Sequence, residues 1–306
     1  MQREAGGSVI LHTEDFPYWV ERIIREPEDF GDRNFSVMRW HENLRFVYVW
    51  EGTVEVRTLD QTVVLQAGEG IFINRDVAYL LAVAGVCRCD SFLFPSYFLE
   101  FYPGGPAKAL ADRLVAREEL PVYVFREGEE WHERVLLYLR ELSALEAQKT
   151  MWYPYEVLVR LSSLWLEMQK NIVIPSAADS GKNSKRSAPK RRSAAQVRMQ
   201  RMQKFLHYIA QHYREEVLLE ELAASADVSK SECLRCFRQS LNTTPYKYLI
   251  DYRISKAVDI LLHTDRQVSE IAVLTGFDQS SYFGKCFRDR LGCTPKEYKR
   301  KNLKNL

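Results

Sequence analysis

The 306-residue sequence has no uninterrupted apolar run approaching the roughly 18 residues that a membrane-spanning helix needs, so no such helix is predicted. Its first residues, with Arg3, Glu4 and two glycines, lack the apolar core of a secretory signal peptide. Its six cysteines do not follow the spacing of a disulfide framework. These three absences predict a cytoplasmic protein whose cysteines are reduced.

The net charge of +2 conceals a strong asymmetry along the chain. Residues 1–174 carry 18 basic and 27 acidic side chains, a net charge of −9. Residues 175–195 carry +5 and residues 196–306 carry +6. The length allows two domains, and a basic C-terminal part beside an acidic N-terminal part predicts that one end binds nucleic acid.

Roughly the last ninety residues contain one sequence unit written twice. The copies are offset by 50 residues over most of their length and by 49 before the turn. The first copy has Leu222 and Ala223, then Cys236-Phe237-Arg238, Leu241, Thr244-Pro245 and Tyr248; the second has Ile271 and Ala272, then Cys286-Phe287-Arg288, Leu291, Thr294-Pro295 and Tyr298. Such a repeat is one supersecondary unit used twice, and each copy predicts a helix-turn-helix over residues 219–241 and 268–291.

Capping residues set the bounds of the second helix of each unit. Ser229 and Glu232 have capping-box spacing, and Asp278 is the candidate N-cap in the second copy. Asn242 and Gly292 follow the apolar stripes and tolerate the left-handed conformation that ends a helix. Each of these stop residues precedes a Thr-Pro pair, and proline suits the first turn of the next helix.

The outward faces of these two helices suit the DNA major groove. Arg and Lys can donate to guanine, and Gln can pair with adenine. One polar helix face is ordinary, but two at equivalent places favour DNA readers. Leu234 either touches a thymine methyl or packs sideways, and Gly284 would allow close backbone approach to DNA. The candidate DNA-binding residues are Ser231, Leu234, Arg235, Arg238 and Gln239 in the first copy, and Gln279, Ser280, Ser281, Gly284, Lys285 and Arg288 in the second.

A helix predicted over residues 245–262 joins the two units. At ~1.5 Å per residue it is roughly 27 Å long. Successive major grooves on one face of DNA repeat every ~34 Å, so this rod could place the two readers in adjacent grooves.

Residues 197–301 resemble the DNA-binding domain of the AraC/XylS family of bacterial transcription regulators. The resemblance rests on Leu222-Ala223, Arg253, Ala257, Val268-Ser269-Glu270-Ile271-Ala272, Gly276-Phe277, Ser281-Tyr282-Phe283, Phe287-Arg288 and Thr294-Pro295. It implies sequence-specific binding of double-stranded operator DNA, control of transcription, RNA polymerase as a candidate partner and no enzymatic activity. Asp227 departs from the pattern, because the family usually has Gly at this turn.

The remainder of the chain predicts an α+β multidomain protein. Residues 175–195, rich in Ser, Ala and basic side chains, read as a flexible basic linker whose cations either add phosphate contacts or only keep it soluble. Within residues 1–174, segments 35–40, 46–50, 54–58, 62–65, 70–73 and 79–83 are strand-like, with turns expected at 51–53 and 67–70. This order resembles the cupin-like β-barrel of the sensing halves of the same family.

The metal motif of cupins is not intact in this sequence. His41 matches its first ligand, but Asn43, Arg45 and Tyr79 stand near the others, and a cationic Arg opposes a divalent metal. No metal or cofactor is therefore predicted, and a small organic ligand is the alternative, since small barrels can enclose one. The candidate lining residues are Arg39, His41, Arg45, Trp50 and Tyr79, which otherwise face solvent or fill the barrel.

Two amphipathic helices are predicted after the barrel, and they either dimerise or pack against it. The stripes consist of Trp131, Val135, Tyr138, Leu142 and Leu145, then Leu158, Leu161, Trp165 and Met168. The sequence therefore predicts a ligand-responsive, homodimeric transcription regulator. The alternatives are a cupin-type metalloenzyme fused to DNA-binding helices, and a regulator whose N-terminal half only oligomerises. The Cys233-x-x-Cys236 pair lies on a buried stripe, which favours two core thiols over a redox or zinc site.

Overall fold

The computed structural model describes residues 16–25, 37–40, 42–102, 105–116, 120–172 and 193–304. In the N-terminal domain, five strands come first. The elements of this domain are β1 (Trp19–Arg25), β2 (Leu44–Thr58), β3 (Thr62–Gln66), β4 (Gly70–Ile73), β5 (Tyr79–Phe94), α1 (Pro106–Val115), β6 (Val122–Phe125), α2 (Glu130–Gln148) and α3 (Tyr153–Asn171). The helix α1 lies between β5 and β6, and the helices α2 and α3 follow β6.

The strands form one antiparallel sheet in the order β1-β5-β2-β4-β6, with β3 added to the end of β2. β2 and β5 are long enough to pair along both of their halves, from Leu44 opposite Phe94 to Thr58 opposite Tyr79. The predicted strand-rich domain is confirmed. Among the described strands, β1 and β6 form the two edges and do not pair, so the sheet is open and not the closed barrel that was predicted.

One predicted turn is wrong. Residues 51–53 lie inside β2, where the pairing register with β5 shifts twice. Gly52 has φ +76°, and a Cβ there would stand 2.0 Å from the carbonyl oxygen of Val86. The type of β-bulge that contains a left-handed glycine needs this positive φ, as many hairpin turns do, and it bends the strand instead of reversing it. The turn at 67–70 is present, with Gly68 at φ +89°.

The sheet has an aliphatic face and an aromatic face. Along β2, odd positions such as Val47 and Val49 join an aliphatic cluster with residues of β4 and β5. Even positions such as Phe46 and Tyr48 face the opposite way and pack with the helices. Alternating strand residues point to opposite faces, which explains the separation.

The three helices cover the aromatic face. Residues of the predicted apolar stripes, among them Leu142 and Trp165, are buried here between α2, α3 and the sheet. The two helices are confirmed, and of the two alternatives these buried residues support packing within the chain. An amphipathic helix buries its apolar stripe against an apolar partner surface, and here the aromatic face of the sheet provides that surface.

The C-terminal domain is entirely helical, with two cores. Met202, Phe205 and Phe237 centre the first unit, and Ile254, Phe283 and Phe287 centre the second. Its helices are α4 (Ala194–His212), α5 (Leu219–Ala224), α6 (Lys230–Leu241), α7 (Pro245–His263), α8 (Val268–Leu274), α9 (Ser280–Leu291) and α10 (Pro295–Lys304). At ~1.5 Å per residue, α7 is about 28 Å long, as predicted for the connecting rod. Its two ends pack into different cores.

The predicted linker lies mostly outside the described residues, and so do residues 35 and 36 of the first predicted strand. Ser193 accepts a hydrogen bond from the Gln196 backbone N–H and caps α4, so the last three residues assigned to the linker belong to this helix. Among the described helices, none is both long and apolar enough to span a membrane.

A short N-terminal segment packs against the C-terminal domain. Val37 and Ala78 share a buried cluster with residues of α4 and α7. The Tyr248 hydroxyl donates to the Met38 carbonyl oxygen at 2.6 Å. These contacts join the two domains across the first helix-turn-helix unit.

Candidate DNA interface and N-terminal polar clusters

The first reader, α6, begins and ends where the sequence predicts. The Ser229 hydroxyl accepts from the Glu232 backbone N–H at 3.3 Å, and Asn242 ends the helix at φ +49°. Only this half of the predicted capping box forms, because the Glu232 carboxylate binds Arg201 and Arg235 instead of reaching back to Ser229.

All five candidate residues of α6 are exposed on one side of the helix. Leu234 is 41% exposed, so it projects outward rather than packing sideways. Cys233, Cys236 and Phe237 occupy the opposite, buried face. The structure therefore presents an outward surface of mixed polar and apolar character.

The two arginines of α6 differ in their electrostatic environment. Arg235 Nη2 lies 2.6 Å from the Glu232 carboxylate, and this hydrogen bond lowers the pKa of Glu232. Arg238 forms no ion pair with another described residue. Arg235 is thus held by an exposed pair that costs little to break, while Arg238 is immediately available to an anion.

The second reader, α9, starts one residue later than the candidate cap implies. Gln279 occupies the N-cap position without a side-chain hydrogen bond, so Asp278 is not the cap. Gln279, Ser280, Ser281, Lys285 and Arg288 are exposed. Gly292 ends the helix at φ +75°, as predicted. The N-cap side chain therefore satisfies none of the first backbone N–H groups of α9.

Gly284 lies on the same outward side as Lys285. A Cβ built at this position meets no heavy atom within 4 Å. The protein's own packing therefore does not require glycine at 284.

The turns of the two units both require a positive φ, and different residues adopt it. Asp227 has φ +56° and its counterpart Gly276 has φ +82°. A Cβ at 276 would lie 2.6 Å from the Tyr213 carbonyl oxygen, whereas Asp227 is accommodated. The departure from the family pattern is tolerated because Asp can adopt the left-handed region at modest cost.

Polar contacts that sequence reasoning did not assign hold both units to α7. The Arg290 side chain on α9 binds Asp251 on α7. Arg253 donates to the carbonyl oxygens of Tyr213 and Glu215, at 2.6 and 2.7 Å, beyond the end of α4. These bonds fix the orientation of both units relative to α7.

The cysteine prediction is confirmed. Cys233, Cys236 and Cys286 are buried core residues. Burial raises the pKa of Cys233 to about 12, which keeps its thiol protonated and unreactive at neutral pH.

Three of the five candidate ligand residues belong to one ion network, in which Arg45 and Tyr79 are buried and the Arg39 side chain is 37% exposed. Arg45 Nη1 donates to Glu21 at 3.0 Å and to Ser91 at 2.5 Å, and its guanidinium lies 5.0 Å from the Tyr79 ring centre. Arg39 donates to the same Glu21 at 3.3 Å. Burial alone would raise the pKa of Glu21, but the two guanidinium groups outweigh it and lower that pKa.

This ion network extends to the other domain. Arg39 Nη2 also lies 3.9 Å from Asp259 on α7. Nearby, the rings of Trp40 and His207 are 4.1 Å apart. Arg39, Arg45 and Tyr79 thus make contacts within the protein, and their assignment as ligand residues stays a prediction. Sequence reasoning missed Glu21 because its partners lie 18 and 24 positions away.

Trp50 lies at a cavity on the opposite face of the sheet, and His41 lies outside the described residues. The cavity has a volume of about 300 Å³ and is bounded by β1, β2, β5 and α2. The Trp50 indole N–H donates to Asp90 at 2.8 Å, and Arg22 donates to the same carboxylate at 3.1 Å. Trp50 is thus the single described member of the predicted set that borders this cavity.

Comparison with known proteins finds a helix-turn-helix domain in the same part of the chain. The family model described as a helix-turn-helix domain matches residues 222–301. An uncharacterized HTH-type transcriptional regulator of Bacillus subtilis, YdeC, is 26% identical over 87% of this chain and 86% of its own length. An HTH-type regulator from the cgkA 5′ region of Pseudoalteromonas carrageenovora is 33% identical over 37% of this chain and 69% of its own length.

The two-domain arrangement also has a counterpart among solved structures. A crystal structure of apo ToxT from Vibrio cholerae superimposes with a TM-score of 0.53, covering 93% of this chain and 97% of that one. The identity is 11%, so the similarity is one of fold.

Proposed function

The chain belongs to the AraC-type family of helix-turn-helix transcription regulators, and from this premise we propose that it binds operator DNA through α6 and α9 together. The observation that carries the proposal is that each unit exposes its second helix and buries the stripe opposite. The surface carries cations, hydroxyls and an amide, which are the groups that read base edges and phosphates.

The side chains divide into two roles by position and environment. Arg235 and Lys285 lie in the middle of their helices and are proposed to contact base edges. Arg238 and Arg288 lie about a turn further on and form no ion pair with a described residue, so we assign them to phosphates. Phosphate contacts add affinity for every sequence, whereas base contacts add specificity.

The test begins with genome-wide mapping of bound DNA, followed by fluorescence anisotropy on the recovered operator. Replacing Arg235 and Lys285 by Ala should cost about 1–3 kcal/mol for each lost base contact and relax specificity there. Replacing Arg238 and Arg288 should weaken binding to all sequences and reduce the salt dependence by about one ion for each lost phosphate contact.

A matched control is Lys108→Ala, which removes one exposed positive charge from α1 in the other domain. Its operator affinity should equal that of the wild type. Equal affinity for the wild type and the Arg235→Ala, Lys285→Ala double variant would reject the proposed interface.

For the N-terminal domain, we propose that it senses a small-molecule effector and dimerises, and that the protein acts in the cytoplasm without enzymatic activity, with RNA polymerase as a partner at the promoter. The outward face of α3 supports dimerisation, because Trp152, Tyr155, Val159 and Leu166 are exposed at helical spacing. Exposed apolar stripes of this kind mark contact surfaces.

A further inference from the structure

The cavity beside Trp50 is lined by more basic than acidic side chains. Arg22 on β1, Arg88 on β5 and Arg140 on α2 border it, with Asp90 as the one carboxylate in its lining. Asp90 is buried and already accepts from Arg22 and Trp50. The cavity therefore has an excess of positive charge.

The two other arginines have no carboxylate of their own among the described residues. The Arg88 guanidinium lies 5.3 Å from the Trp50 ring centre, and neither Arg88 nor Arg140 forms an ion pair within the described part of the chain. This concentration of cations occurs in the half of the sequence with a net charge of −9, where acidic partners are abundant. Arg88 and Arg140 are exposed at this concave site, so an anion from solution can reach both guanidinium groups.

The shape and lining of the cavity narrow the class of anion. A volume of about 300 Å³ is at the lower end for small-molecule sites and fits a compact organic molecule. Guanidinium groups bind carboxylates with two parallel hydrogen bonds, and an indole ring packs against planar apolar groups. Ile24 and Ala144 supply apolar surface beside them.

We propose that this cavity binds a small organic carboxylate with a planar apolar body, with Arg88 and Arg140 holding the carboxylate and Trp50 contacting the apolar body. The binding proposal is argued from the cavity alone. That the bound carboxylate acts as the effector rests on the proposed function. The site lies on the helix-covered face of the sheet, opposite the aliphatic face where Arg45 and Tyr79 lie.

β1 connects this site with the DNA-binding domain. Arg22 faces the cavity, while its neighbour Glu21 faces the other side of the sheet and binds Arg39. Arg39 in turn approaches Asp259 on α7. A carboxylate held by Arg88 and Arg140 would also attract the neighbouring Arg22 away from Asp90. A movement of β1 that followed would reach α7 through two ion pairs, Glu21–Arg39 and Arg39–Asp259.

The binding step is tested on the full chain with phenylacetate as the probe and phenylacetamide, its neutral counterpart, as the matched ligand. Calorimetry and thermal unfolding should detect phenylacetate, with phenylacetamide binding about tenfold or more weakly because charged hydrogen bonds are lost. The Arg88→Gln, Arg140→Gln double variant should lose a similar factor. Arg113→Gln, which removes an exposed arginine on α1 outside the cavity, should bind like the wild type.

Absence of phenylacetate binding, or equal binding by the wild type and the double variant, would overturn the site. Operator affinity measured without phenylacetate is the separate test of the proposed function. Operator affinity should change on addition of phenylacetate by a factor in the usual range for coupled sites, roughly 5- to 150-fold. Probe binding that leaves operator affinity unchanged in the wild type would overturn the connection through β1.

Discussion

At the scale of single residues, two glycines of the second unit illustrate opposite demands. Gly276→Ala would place a Cβ 2.6 Å from the Tyr213 carbonyl oxygen at φ +82°. Left-handed strain and overpacking together should destabilise the protein by roughly 2–5 kcal/mol. Gly284→Ala has open space at an interior helix position and should stabilise it by about 1 kcal/mol. Denaturant unfolding of both variants, followed by circular dichroism, measures the difference, and two changes of the same sign would contradict it.

The same Gly284→Ala variant also tests the DNA interface. If the backbone of α9 approaches DNA closely at this point, the added methyl group should reduce operator affinity while it increases stability. If Gly284 only weakened the helix, Gly284→Ala would increase stability without reducing operator affinity. Unchanged affinity in an anisotropy titration would show that Gly284 lies away from the DNA.

Glu21 gives the N-terminal domain a dependence on pH. Its folded-state pKa is lowered, so the stability it adds is present above its unfolded pKa near 4.5 and is lost as the pH falls through the lower, folded value. Glu21→Gln removes the carboxylate that pairs with the buried Arg45, and it should lower the free energy of unfolding by about 3–5 kcal/mol at pH 7. The difference from the wild type should shrink below about pH 4.

Denaturant unfolding at pH 7 and at lower pH measures this narrowing. Glu55→Gln serves as the control, because Glu55 forms an exposed pair with Arg57 and its loss should change little at either pH. A difference between wild type and Glu21→Gln that stays constant with pH would refute the assignment.

At the scale of elements, short sequence signals predict the features that depend on neighbouring residues, such as where a helix begins and ends. The repeat and its caps place α6 and α9, since helix bounds depend on neighbouring residues. Ser193 and Gln196 also have capping-box spacing, and this signal could have placed the start of α4. Gly52 could not be resolved in the same way, because a bulge and a turn require the same backbone conformation. The roles of Arg39 and Arg45 were hidden for a different reason: their carboxylate partner lies on another strand.

Two leucines on the helices after the sheet distinguish packing from association. Leu142 on α2 is fully buried, so Leu142→Glu should unfold the N-terminal domain by burying an unpaired charge. Leu166 on α3 is 51% exposed, so Leu166→Glu should leave the fold intact and yield monomers. Circular dichroism and sedimentation velocity measure the two effects. A wild-type chain that is dimeric, with a Leu166→Glu variant that remains dimeric, would exclude the α3 face as the contact.

At the scale of the whole molecule, the N-terminal domain contacts the two DNA-reading units unequally. Val37 and Ala78 complete the first unit's core, and Tyr248 of that unit binds the Met38 carbonyl oxygen. The core of the second unit is built from α7 to α10 without an N-terminal residue among its described members. A signal from the N-terminal domain would therefore reach the first unit through α4 and α7, and α9 through α7 alone.

This inequality predicts how the isolated fragment 193–306 behaves. The fragment retains both helical cores, so it should fold and bind a single half-site. Loss of Val37 and Ala78 exposes apolar surface in the first unit, which should lower its local stability by about 1–3 kcal/mol. Amide hydrogen exchange, compared between the fragment and the full chain, should show reduced protection in α4 and α6 and unchanged protection in α8 and α9. Because local opening reports each cooperative unit separately, equal losses in both units would mean that they unfold as one and that the N-terminal segment does not act on the first unit alone.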